Sequence, residues 1–136
     1  MAVFAIERRV RYVDTDQFGA AHHSKVYHWF EEARTELLRA LGRPYGEFEA
    51  AGTFFPVAEG GCRYRALARF DAHLRVAIER LEVTGATLRF EYRVTDGDQL
   101  IAEGFTEHAC VNREGKVRRI PADVRTMFAG AAAAKR

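Results

Sequence analysis

The sequence predicts an α+β fold in which a curved antiparallel β-sheet wraps around one long central helix. Three observations carry that prediction. Residues 3–13 alternate apolar and polar with a period of two; residues from about Ser24 to Leu41 switch to a helical period; and from about Cys62 onward the chain returns to short alternating runs separated by turn residues. One strand, one long and mostly buried helix, then about four antiparallel strands make an α+β domain, and curling the sheet around the helix is the economical way to bury both. The 136 residues fit one domain, 1–136, because domains commonly run to about 100–200 residues.

Each element follows from its own pattern. In the first strand Phe4, Ile6, Val10 and Tyr12 share a face with Arg9 and Arg11 opposite, although Arg8 falls on the apolar side. In the helix Val26, Trp29, Phe30, Ala33, Leu37 and Leu41 recur at spacings of three and four, and Gly42 with Pro44 stops it. Tyr27, Leu38 and Ala40 widen the stripe, which predicts a helix covered on more than one side. A short helix over Tyr45–Ala51 ends at Gly52. Cys62, Tyr64 and Ala66 then alternate with Arg63 and Arg65. Leu74, Val76 and Ile78 alternate before Leu81 and Val83 appear in the opposite phase, the mark of a β-bulge. Leu88, Phe90, Tyr92 and Val94 hold one face without a break, and Asp96-Gly97-Asp98 reads as a hairpin turn. Residues 100–112 make the last strand, "NREGKVRRI" a second turn, and Pro121 opens a C-terminal helix carrying Val124, Met127 and Phe128 before a frayed "AGAAAAKR" tail. There is no internal repeat and no low-complexity linker.

Composition narrows the function classes. A formal net charge of +2 without a run of like charges is too mild for a nucleic-acid binder. Cys62 and Cys110 are the only cysteines and neither lies in a CxxC motif, so they read as small hydrophobes of a protein in a reducing compartment. The N-terminal "MAVFAIERRVRY" has no signal-peptide core, and no apolar stretch approaches the roughly 20 residues of a membrane span. The expectation is a cytoplasmic protein with no membrane span.

The unusual stretch is the approach to the long helix, where Asp14, Asp16, His22 and His23 flank Gly19. The first N–H groups of a helix lack intrahelical acceptors and carry positive partial charge, so they can hold an oxygen that gains negative charge. Asp16, across the glycine turn from His23, could face the same spot. A carboxylate opposite such donors is a minimal kit for attacking a carbonyl carbon, directly or through water. An Asp near a helix start is also a common cap or turn residue. A metal site is the less favoured reading, since adjacent histidines rarely point to one ion and no H-x-x-x-H partner exists; no metal is assigned. His28 reads as solvated, His73 as a turn residue and His108 as an ordinary strand position.

The stretch "RRVRYVDTDQFGAAHHSKVYHWFEEARTELLR" resembles the opening signature of the hotdog-fold acyl-CoA thioesterases of the 4-hydroxybenzoyl-CoA thioesterase and YbgC-like branch. In that family a strand leads to D-T-D-x-x-G and then to the central helix. "RYRALARFDAHLRV" resembles the family's next strand pair and "VNREGKVRRIPADV" its final turn and tail. The resemblance implies hydrolysis of an acyl-CoA without a cofactor. It implies Asp16 as catalytic carboxylate, His23 as the residue whose backbone N–H polarises the thioester carbonyl and whose side chain takes part, Gly19 as the turn glycine and Tyr12 as an active-site tyrosine. Arg65, Arg69, Arg118 and Arg119 are the candidate partners for the phosphates of coenzyme A. It further implies a homodimer or homotetramer with sites at the subunit interface. The sequence departs from the family at Val26, often a tyrosine, at Leu67, often a proline, and at Ala72, often an aspartate. A non-catalytic acyl-thioester binding protein on the same fold is the rival expectation, because fold does not fix function.

Overall fold

The computed structural model describes residues 2–134. Five strands, β1 (Phe4–Arg9), β2 (Val57–Tyr64), β3 (His73–Val83), β4 (Thr87–Asp96) and β5 (Gln99–Ala109), form one sheet in the order β1-β3-β4-β5-β2. Every pairing is antiparallel. Three helices, α1 (Lys25–Ala40), α2 (Tyr45–Ala50) and α3 (Ala122–Ala133), complete the fold. No helix among the described residues is long and apolar enough to cross a membrane.

The helix α1 forms where the period of three and four predicts it. Val26, Trp29, Phe30, Ala33, Leu37 and Leu38 are its buried residues. It ends as Gly42 takes the left-handed conformation (φ +82°) while the Arg43 N–H bonds back to the Leu38 carbonyl, a geometry that favours glycine after the C-cap. Its buried face meets the sheet through Phe30, whose ring stacks on Tyr92 of β4 with centroids 4.1 Å apart. The four inward residues of β4, Leu88, Phe90, Tyr92 and Val94, are all buried. In β3 the register slips between Ile78 and Arg80, so the phase change read in the sequence is a bulge. α3 adds Val124 and Phe128 to the core, and the Phe128 ring packs with Phe48 and Phe55.

Several boundaries differ from expectation. β1 stops at Arg9, and Tyr12–Asp14 form one turn of 3₁₀ helix. The cause is Asp14: its carboxylate accepts the Arg11 N–H at 2.9 Å, and such side-chain-to-backbone bonds compete with a ladder. Tyr12 therefore leaves the apolar face and is 79% exposed. Arg8 stays on the inner side because it is paired there, donating to both oxygens of Glu32 on α1 at 2.7 Å and lying 3.9 Å from the buried Asp14 carboxylate. β2 begins at Val57, ahead of its alternating signal, and ends at Tyr64 without Ala66. His73 opens β3, and β5 ends at Ala109 with Val111 and Val117 bridged across the following turn. The tail expected to fray is helical to Ala133, as alanine's helix propensity allows; Lys135 and Arg136 lie outside the described residues.

Two substitutions test this packing. A Cβ at Gly104 of β5 would collide with the Gly61 carbonyl oxygen of β2 and sit 3.0 Å from the Phe30 ring. Gly104→Ala is expected to cost about 1–3 kcal/mol in a denaturant titration, the range for overpacking. Asp14→Ala removes the acceptor of the Arg11 N–H and the buried charge beside Arg8, which keeps Glu32. It is expected to cost about 1.5–3 kcal/mol by the same measurement, as for loss of hydrogen bonds to a charged group.

Candidate active site

The segment between Asp14 and Ser24 folds back on itself as a small hairpin. Thr15 and Ala21 form a bridge, the Asp16 N–H donates to the Ala20 carbonyl at 3.1 Å and the His22 N–H to the Asp14 carbonyl at 2.8 Å. Gly19 sits at the tip with φ +86°, a conformation open to glycine at no steric cost. Its N–H closes the turn on the Asp16 carbonyl at 3.0 Å. The loop is docked from outside by the Ala21 N–H on the Ala68 carbonyl at 2.7 Å, with Ala20 bridged to Arg69.

Within this hairpin the two aspartates have opposite surroundings. Asp14 is buried and its carboxylate faces Arg11 at 3.4 Å and Arg8 at 3.9 Å. Asp16 is exposed, and one of its carboxylate oxygens accepts the Phe18 N–H at 2.9 Å, the turn role that aspartate often plays. Its other oxygen makes no hydrogen bond among the described residues. Beyond the hairpin the His22 Nδ1 accepts the Ser24 N–H at 3.3 Å and the His22 carbonyl accepts the Lys25 N–H at 2.9 Å. Between these committed amides, the N–H of His23 has no partner among the described residues. α1 begins at Lys25, slightly later than expected, so His23 lies just ahead of the first turn. The His22 and His23 rings lie 4.2 Å apart.

A residue that the sequence reading left out completes the loop. The Tyr64 hydroxyl, at the end of β2, donates to the His23 carbonyl at 2.7 Å. Burial, and then the neighbouring Cys62, push the Tyr64 hydroxyl up to about 12, so it remains a neutral donor. No local signal marks it, because the contact exists only once β2 runs back past the start of α1.

The other expected site residues divide. Tyr12 lies against Phe70 with ring centroids 5.8 Å apart, and Arg69 stands beside the loop through its bridge to Ala20. Arg65 is held by Glu103, with guanidinium-to-carboxylate distances of 2.7 and 3.2 Å. Arg118 and Arg119 are exposed at the other end of the sheet. The Arg65 N–H bonds to Ile101 and the Arg118 N–H to Cys110, positions separated along β5 by on the order of 30 Å at about 3.4 Å per residue. One chain therefore does not gather the four arginines. Among the described residues no group of three or more His, Cys, Asp or Glu is placed to hold a metal ion.

The chain is similar to known proteins along most of its length. The Thioesterase-like superfamily profile matches residues 10–128. The acyl-CoA thioesterase YbgC of Haemophilus influenzae is 34% identical, over 92% of this chain and 93% of its own. The acyl-CoA thioester hydrolase YbgC of Escherichia coli is 30% identical, over 88% of this chain and 91% of its own. A hypothetical protein from Thermus thermophilus superposes with a TM-score of 0.87 at 41% identity, covering 94% of this chain and 98% of that one. At 21% identity, the 1,4-dihydroxy-2-naphthoyl-CoA thioesterase from Synechocystis shares the fold with a TM-score of 0.85, over 93% of this chain and 95% of that one. A D-T-D-x-x-G hairpin leading into α1, on a five-stranded antiparallel hotdog sheet and with relatives of this likeness, places the chain in one family: it belongs to the thioesterase-like superfamily.

Proposed function

We propose that the chain hydrolyses an acyl-CoA thioester to the free acid and coenzyme A. The observation that carries this reading is that one short segment holds both the His23 N–H, without a partner among the described residues, and the exposed Asp16 carboxylate, one oxygen of which makes no hydrogen bond there. The thioester carbonyl oxygen accepts the His23 N–H, which stabilises the charge it gains as the carbon becomes tetrahedral. Asp16 either takes a proton from a water whose oxygen attacks that carbon, or attacks it directly to give a mixed anhydride that a water hydrolyses to the free acid once the thiolate has left. The C–S bond then breaks, the thiolate of coenzyme A leaves and a proton restores the thiol. The names of the YbgC relatives support the activity. Neither a metal nor a cofactor has a step in this reaction. The His23 side chain adds to the catalysis, Gly19 lets the loop turn and Tyr12 flanks the acyl thioester.

The reading takes residues 1–136 as one cytoplasmic domain whose sheet curls around α1 as its central helix. It also takes the site to lie between subunits. Asp16 is open to water in the single chain, and Tyr12, Val13, Phe18, Leu67 and Phe70 around it are exposed, Phe18 at 72%. β2 is an unpaired edge of the sheet, and such edges are ordinarily covered or paired. A homodimer or homotetramer would cover both. Arg69 is the arginine best placed for the phosphates of coenzyme A, with Arg65 next along the chain. Arg118 and Arg119 could reach a bound coenzyme only at a site shared between copies.

Two measurements test the proposal. Asp16→Asn keeps an acceptor for the Phe18 N–H, so the turn survives while the negative charge is lost. Hydrolysis of the best substrate from an acyl-CoA panel, followed as free thiol, is expected to fall by roughly 10²–10⁴-fold, as for loss of a general base. Activity within a few-fold of wild type would leave Asp16 as a turn residue, and a wild-type protein that binds acyl-CoA but releases no thiol would make it a binding protein. Sedimentation at micromolar protein is expected to give the mass of two or four chains, and an active monomer would refute the shared site.

A further inference from the structure

Asp16 and His23 sit on opposite limbs of the hairpin, and both limbs rest on one short stretch of chain, residues 64–69. That stretch is fixed to β5. Tyr64 pairs with Ala102, and the N–H groups of Arg65 and Ala66 both donate to the Ile101 carbonyl, at 2.8 and 3.2 Å. Ile101 and Ala102 are buried, so the stretch is tied to the core of the sheet. At its far end the Ala68 carbonyl accepts the Ala21 N–H at 2.7 Å, and Arg69 bridges Ala20. Backbone makes those contacts. At its near end the attachment is a single side chain, the Tyr64 hydroxyl, which donates to the His23 carbonyl at 2.7 Å.

The direction of the His23 N–H depends on the two rigid peptide planes that meet at this residue and on the torsions between them. The plane before it is held by the His22 carbonyl, which accepts the Lys25 N–H at 2.9 Å. The plane after it is held on one side by the Ser24 N–H, 3.3 Å from His22 Nδ1. Both bonds lie within residues 22–25, so they shape the turn without placing it against the sheet. Burial of the apolar face of α1 seats the helix, but that force is non-directional. A hydroxyl-to-carbonyl bond has a preferred distance and angle. Tyr64 supplies that directed contact from 41 residues away.

We propose that Tyr64 is a positioning residue for thioester hydrolysis: by holding the His23 carbonyl it aims the His23 N–H at the thioester oxygen. The inference rests on the hydrolysis proposed above. Tyr64 touches no reacting atom in this scheme and acts through His23 alone.

Tyr64→Phe removes the hydroxyl and keeps the ring. On the best substrate of an acyl-CoA panel, kcat is expected to fall about 10- to 100-fold, since misplacing a group by about 1 Å can cost about 10²-fold. KM is expected to stay within about twofold, the pattern of an interaction made in the transition state. The amide itself is read by infrared spectroscopy of the same substrate, labelled with ¹³C at the thioester carbonyl and bound to Asp16→Asn protein. Adding Tyr64→Phe is expected to move the carbonyl stretch to higher frequency, because a misaligned donor polarises it less. Tyr64→Thr, a β-branched residue suited to a strand end whose hydroxyl stops short of His23, is expected to do the same and decides the question if Tyr64→Phe does not fold. A wild-type protein that releases thiol from no acyl-CoA overturns the hydrolysis reading and this inference with it. Where the wild type is active, a kcat within about twofold in the folded variants, or a raised KM at unchanged kcat, overturns the inference alone. An unmoved carbonyl stretch does so even where kcat falls, leaving Tyr64 a purely structural residue.

Discussion

The burial of the Asp14 carboxylate is the constraint on which the rest of the site depends. A carboxylate taken out of water is costly unless paired and hydrogen-bonded, and each partner that Asp14 recruits fixes a different part of the chain. The Arg11 amide ends the first strand. Arg8 turns inward and joins the strand to Glu32 on α1. The Asp14 carbonyl takes the His22 amide, which sets the far limb of the hairpin, and the His23 amide next in line has no acceptor among the described residues. The two aspartates of the D-T-D run thus divide the work: Asp14 builds the loop, and Asp16, two residues on, stands free in water.

Close approach between backbone and aromatic rings is the second requirement. Gly104 and Gly61 let β5 and β2 come within reach of the Phe30 and Phe105 rings, at distances that a Cβ would violate. The approach of Gly104 to Phe30 seats α1 on the sheet, and from β2 the Tyr64 hydroxyl reaches the His23 carbonyl. Tyr92 serves two structures at once. Its ring stacks on Phe30, while its hydroxyl carries the hydrogen-bond chain from Arg34 towards His108. The packing of α1 and the hydrogen bonds that reach the buried His108, read from the sequence as an ordinary strand position, are therefore coupled through one side chain.

The exposed surface around the hairpin has a physical consequence for the isolated chain. Tyr12 and Phe70 pack on one another while exposed, and Phe18 is exposed on the hairpin, apolar surface of the kind that marks an interaction site. A carboxylate in open water gains little from a neighbouring amide, because solvent competes for both. Excluding water strengthens each electrostatic contact at a reacting carbonyl. What covers the hairpin sets how strongly its polar groups act on one another.

Much of this was legible in the sequence wherever the determining interactions are local. The spacing of Val26, Trp29, Phe30, Ala33 and Leu37 determined α1, the unbroken alternation of Leu88 to Val94 determined β4, and the phase change after Ile78 determined the bulge. The D-T-D-x-x-G run ahead of a helix determined the hairpin and its candidate Asp16 and His23. Tertiary structure decided the rest. Tyr12 left the strand because a carboxylate two residues later captured the Arg11 amide. Arg65 and Arg69 separated from Arg118 and Arg119 because the sheet carries them to opposite ends. Tyr64, Arg34 and His108 acquired partners from elements far along the chain. Periodicity reports which face of an element is apolar, but the partner of a polar side chain is set by which strands and helices come to lie beside it, and a one-dimensional pattern carries no record of that.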